Sequence, residues 1–125
     1  MTSVAVRYIT DDVDAAVAFY VEHLGFAVQS HSSPGFAMLS RGALRLLLNQ
    51  PGAGGAGQSL PDGRRPEPGG WNRFQIEVTD LEYEVQLLRA AGVSLRGEIV
   101  TGRGGSQILI DDPAGNPVEL FQPAG

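Results

Sequence analysis

The 125-residue chain contains no cysteine, which removes thiol catalysis, iron–sulfur ligation, thiolate zinc sites and disulfide staples. None of these is needed for folding, because a domain of this size buries roughly two thirds of the surface its unfolded chain exposes. Positive charge is sparse and scattered. Nine Lys and Arg against fourteen Asp and Glu leave a net charge of −5, with no cationic stripe to displace counterions from a phosphate backbone, so a nucleic-acid partner is not expected. Long apolar runs are also missing. No stretch reaches the roughly 18 residues of a membrane helix, and Arg7, Asp11 and Asp12 interrupt the start, so neither a signal peptide nor a membrane partner is expected and the expected location is the cytoplasm. No set of serine, histidine and aspartate stands out as a nucleophile. Gly52 to Gly57 is followed by no lysine and serine, so it is not a phosphate-binding loop.

What the chain does have is a repeat. Val4 to Thr10 alternates as a strand and runs into Asp12 and a helix; Arg73 to Thr79 does the same and runs into Asp80 and another helix. In the first helix Val13, Ala16, Val17, Tyr20, Val21 and Leu24 form one apolar stripe, with Phe19 and Tyr8 adding to helix packing and Gly25 as terminator. Phe26 to Ser30, Phe36 to Ser40 and Leu44 to Asn49 read as strands separated by turn residues. The second helix, Asp80 to Ala91, sets Leu81, Val85 and Leu88 on one face and ends at Gly92; Thr79 with Glu82 fits a capping box. Short strands follow at Val93 to Leu95, Glu98 to Thr101, Ser106 to Ile110 and Val118 to Phe121. Between the copies, residues 50–72 hold seven glycines and four prolines without periodicity, a connecting loop that either lacks order or closes over a ligand. The expected architecture is α+β: a single domain of two paired βαβββ modules, 1–49 and 73–125, forming a curved mixed sheet around a cleft.

Asp12-Val13-Asp14-Ala15-Ala16-Val17-Ala18-Phe19-Tyr20 with Leu24-Gly25-Phe26, and Asp112-Pro113-Ala114-Gly115-Asn116-Pro117-Val118-Glu119-Leu120, carry a resemblance to the vicinal oxygen chelate superfamily. Its members include glyoxalase I, extradiol dioxygenases, fosfomycin-resistance enzymes and bleomycin-resistance proteins. The resemblance implies that Glu119 occupies a metal-ligand position, joined in metal-dependent members by one residue from the first strand of each module and, in glyoxalases, one from the fourth strand. The first-strand positions here, seven residues before Asp12 and Asp80, are Ala5 and Arg73; the fourth-strand position is Arg45, or Leu47 if the register slips by one residue. None of these supplies a lone pair to a cation, so no metal and no other cofactor is expected. His23, near a helix C-terminus, and His31, in a loop facing water, stand at no ligand position.

Strand alternation places Ala5, Arg7, Ile9, Arg45, Arg73, Gln75, Glu77, Glu119 and Phe121 on the inner faces, with Glu77 solvated. Arg7, Arg45, Arg73, Gln75, Glu119 and Phe121 are candidate ligand-binding residues, as are Phe36 and Met38 on the third strand and Trp71 where the loop returns. Each also has a structural reading. Arg45, Arg73 and Glu119 can form a buried charge network, Phe36 and above all Met38 can belong to the core, and Trp71 can pin the loop. With the metal ligands replaced, the resemblance points to the bleomycin-resistance-like branch: a homodimeric protein that sequesters a bleomycin-, mitomycin- or enediyne-type natural product. The alternatives are a metal-independent lyase or isomerase with Glu119 as general base and a metal-dependent glyoxalase or dioxygenase.

Overall fold

The computed structural model describes residues 4–125. They fall into two compact units that meet at Gly69 and Gly70. The first contains β1 (Val4–Ile9), α1 (Val13–Leu24), β2 (Ala27–Ser33), β3 (Phe36–Arg41) and β4 (Leu44–Asn49), in the sheet order β1-β4-β3-β2. The β1–β4 pairing is parallel, and the helix between them is the crossover a parallel pair requires. The carboxylate of Asp12 accepts from the N–H of Ala15 at 3.1 Å and starts α1; Gly25, at φ 71°, ends it in a left-handed conformation that costs glycine nothing. Val13, Ala16, Phe19, Tyr20 and Leu24 are buried against Ala37, Leu39, Leu46 and Leu48 of the sheet. Each such large side chain contributes about 1.5–3 kcal/mol by leaving water. Val21, expected in the buried stripe, is 39 % exposed; the stripe is widened on its opposite flank by Phe19, whose ring is edge-on to Tyr20. His31 lies within β2 rather than in a loop, and its Nε2 is 3.1 Å from the Asp14 carboxylate on α1.

The second unit repeats the order with β5 (Gln75–Glu77), α2 (Leu81–Ala90), β6 (Val100–Thr101), β7 (Gly105–Asp111) and β8 (Pro117–Pro123), in the sheet order β5-β8-β7-β6. Asp80, not Thr79, caps α2, accepting from Tyr83 N–H at 3.1 Å. The helix ends with Gly92 at φ 80°, its N–H on Arg89 O and that of Val93 on Leu88 O, both at 3.0 Å. Leu81, Val85 and Leu88 face Ile108, Ile110, Val118 and Leu120 in the core. The strand expected over Val93 to Leu95 is reduced to a bridge between Leu95 and Ile110, and that over Glu98 to Thr101 to the two residues of β6.

The duplication extends to a side-chain latch. The N–H of Val13, first residue of α1, donates to Gln50 Oε1 just beyond β4 (3.3 Å); the N–H of Leu81, first residue of α2, donates to Gln122 Oε1 on β8 (2.8 Å). Each satisfies a donor that a helix start leaves without an intrahelical partner. Residues 50–72 contain no helix or strand, yet their first part is tightly hydrogen-bonded. Gly52 N–H meets Gly57 O at 2.6 Å, Gly57 N–H meets Ala53 O at 3.1 Å, and the Gln58 amide donates to Gly52 O and Gly54 O. Asn49 and Gln50 tie this knot to the sheet through Ala53 O and Gly35 O. Among the described residues no helix is long and apolar enough to cross a membrane.

Candidate ligand-binding site

In each unit the helix covers one face of the sheet, and the candidate residues lie on the other. In the first unit the register sets Ala5, Arg45 and Ser40 in one row, Arg7, Leu47 and Met38 in the next, and Ile9, Asn49 and Phe36 in the third. Arg45 and Leu47 therefore share a face, two residues apart. Met38 belongs to this face and not to the core under α1, half-buried with its Sδ 3.7 Å from Arg45 Nη1. Phe36 is half-buried beside it, and Arg7 is exposed and donates to Asn49 Oδ1. Asn49, 3 % exposed, was not among the expected site residues. Nothing in its sequence context marks it, because its role depends on which residue of β1 stands opposite.

In the second unit, Gln75, Glu119 and Leu109 form one row and Glu77, Phe121 and Gln107 the next. Glu119 is placed by the turn before it. Asp112 accepts from Ala114 N–H and Asn116 N–H at 2.9 Å each, and Gly115 takes φ 87°. The backbone N–H of Glu119 then donates to Phe74 O at 3.1 Å, which fixes β8 beside the chain leading into β5. Glu119 Oε1 accepts from Arg73 Nε at 3.0 Å and Nη2 at 2.9 Å, and Oε2 accepts from Gln75 Nε2 at 2.6 Å. The carboxylate side chain is 10 % exposed and the arginine 28 %. Three donors thus occupy most of the acceptor capacity of the one carboxylate in these rows that is buried. Of the three charges expected as a network, Arg73 and Glu119 pair, and Arg45 enters no ion pair among the described residues.

The residues at the superfamily's ligand positions do not fit a metal. Ala5 has no donor atom, Arg45 and Arg73 are guanidinium donors, and Glu119 is already bound to Arg73. Among the described residues no three His, Cys, Asp or Glu side chains converge on a common point. His23 instead packs its ring on Phe19 at 5.5 Å.

Trp71 is 66 % exposed, with the Arg96 guanidinium 4.7 Å over its ring. Arg96 also bonds Asp111 Oδ1 through Nε (3.0 Å), Gly70 O through Nη1 (2.7 Å) and Gly115 O through Nη2 (3.1 Å). This clasp holds the returning loop to β7 and to the turn that positions Glu119. Sequence alone could not show it, since its partners come from three separate segments.

Comparison with curated proteins gave no match. Among solved structures the chain is similar to lactoylglutathione lyase from Agrobacterium tumefaciens, with 22 % identity and a TM-score of 0.76 over 97 % of this chain and 92 % of that one. It is similar to TioX from a Micromonospora species, with 18 % identity and a TM-score of 0.77 over 99 % and 100 %. It is also similar to TnmS3, an antibiotic binding protein from a Streptomyces species, with 22 % identity and a TM-score of 0.71 over 99 % and 97 %. At these identities the likeness is one of fold. The family model described as Glyoxalase/Bleomycin resistance protein/Dioxygenase superfamily matches residues 3–120, and with the duplicated strand–helix–strand units this makes the chain a member of that superfamily.

Proposed function

We propose that this protein binds an antibiotic or related natural product of the bleomycin, mitomycin or enediyne type in the cytoplasm and protects by sequestration, as a homodimer. The observation that carries the reading is the state of Glu119: the side chain that would hold a catalytic cation is bonded to Arg73 and Gln75. The half-buried apolar side chains on the helix-free faces, Ile9, Phe36, Met38 and Leu47 in one unit and Leu109 and Phe121 in the other, suit a partly aromatic ligand. That TnmS3 binds an antibiotic on the same fold supports this use of the scaffold. A role for Glu119 as a metal-free general base would require a proton to displace one of its three donors.

The test is a thermal-denaturation screen of chelator-treated protein against DNA-damaging natural products and, separately, divalent metals. A ligand present at a hundred times its Kd stabilises by about 2.7 kcal/mol, a rise in Tm of roughly 10 °C for a chain of this size. The expected result is such a rise with one compound, recovered unmodified and protecting only in stoichiometric amounts. Turnover by catalytic amounts of protein, or stabilisation by a metal alone, overturns the reading.

A further inference from the structure

We infer that the ligand carries an anionic oxygen group, a carboxylate, sulfonate or acidic enolate on an aromatic body, and that Arg45 is the residue that recognises it; this rests on the small-molecule-binding reading above. The two units treat their cations differently. In the second, Arg73 on the helix-free side is neutralised by Glu119. In the first, the helix-free face carries Arg7 and Arg45 and no aspartate or glutamate in any of its three β1–β4–β3 rows, although the whole chain has a net charge of −5. Arg7 is bonded to the neutral amide of Asn49. Among the described residues Arg45 is in no ion pair, its Nη1 reaches only the weak acceptor Met38 Sδ, and its Nε is buried with no hydrogen-bond partner.

A buried guanidinium N–H without an acceptor is unfavourable, and an anionic oxygen from a ligand relieves that while also neutralising the charge. The space for it is set by the register. Arg45 is flanked across the sheet by Ala5 and Ser40, whose side chains are short; its Nε is covered by protein, so an incoming group meets the guanidinium first at Nη2, which has no hydrogen bond among the described residues and is not among the fully buried atoms. One row further lie Leu47 and Met38, and beyond them Phe36, an apolar strip on which the uncharged body of the same molecule can rest. An acid with an aromatic body matches both parts. A compound of the same shape with no acceptor oxygen leaves the Arg45 N–H unmet, and a neutral carbonyl meets it without neutralising the charge.

Two probes with the same ring system separate charge from shape: 8-anilinonaphthalene-1-sulfonate and the uncharged N-phenyl-1-naphthylamine, each titrated by fluorescence into protein shown by circular dichroism to be folded. The wild type is expected to bind the sulfonate at least about tenfold more tightly, with a preference that weakens as salt rises. Arg45→Gln removes the preference and leaves the affinity for the neutral probe in place. Arg45→Lys, which keeps the charge, retains part of it and covers the case in which the glutamine variant does not fold. Arg89→Gln, on the exposed surface of α2 and paired with Glu98, changes neither affinity. Equal affinities in the wild type overturn the inference and leave the binding reading standing, and an undiminished preference in Arg45→Gln overturns the assignment to Arg45. Failure of both probes also overturns it, whereas the parent reading is decided separately, by the natural-product and metal screen above.

Discussion

Arg73 and Glu119 together define what this site can do. Replacing Arg73 by Met leaves a carboxylate that is 10 % exposed with Gln75 as its remaining side-chain partner. The expected cost is about 1–2 kcal/mol in urea denaturation, less than for a fully enclosed pair because the guanidinium is part-exposed. Glu119→Gln is expected to lower stability or ligand affinity without abolishing protection, since sequestration needs no base; loss of a measurable turnover in that variant would instead identify an enzyme. The pair was legible in the sequence because strand alternation fixes the face of each residue and the Asp112–Pro117 turn fixes where β8 begins. Arg45 was legible as a face residue for the same reason. That it enters no ion pair among the described residues was not, since pairing depends on which side chains the folded register brings near. Asn49 was hidden for the same reason, and Met38 was misjudged because an apolar residue on a strand does not declare which face the helix covers.

At the scale of elements, both helices were readable from their apolar spacing and glycine stops, and both begin on an aspartate cap whose replacement by alanine is expected to cost about 1 kcal/mol in thermal or urea unfolding. Thr79 was mistaken for the cap because a threonine three residues before a glutamate satisfies the pattern equally well. The short edge strand β6 was overestimated, since two residues of pairing leave little periodicity to read. In the glycine-rich segment the sequence leaves two readings open, a loop without order or one that closes over a ligand, because low complexity does not reveal that glycine there allows close backbone contact. A Cβ at Gly57 would lie 2.5 Å from both Ala53 O and Gln50 O, whereas one at Gly55 meets nothing within 4 Å. Gly57→Ala is therefore expected to loosen residues 50–58 and cost about 1–3 kcal/mol, read as faster proteolysis there, with Gly55→Ala as a neutral control. Arg96→Met is expected to release Trp71 and shift its emission to the red.

For the molecule as a whole, the repeat was the strongest signal in the sequence, and the family match and the two four-stranded sheets agree with it. What the sequence could not supply is the partner set, because assembly and ligand choice depend on surfaces and not on periodicity. The proposed homodimer predicts a light-scattering mass twice the 13.2 kDa of the chain; a mass of one chain at working concentration would remove that part of the proposal. The paired glutamine latches bear on how such a molecule comes to be folded. Each helix start is bonded to a glutamine 37 or 41 residues later, on or just beyond the strand that closes the sheet of its unit. Each helix start thus has one N–H whose side-chain partner arrives only with the last strand of its unit, so the latch itself closes late in folding. Substitutions at these two glutamines are therefore expected to speed unfolding more than they slow folding, read from the two arms of a denaturant chevron.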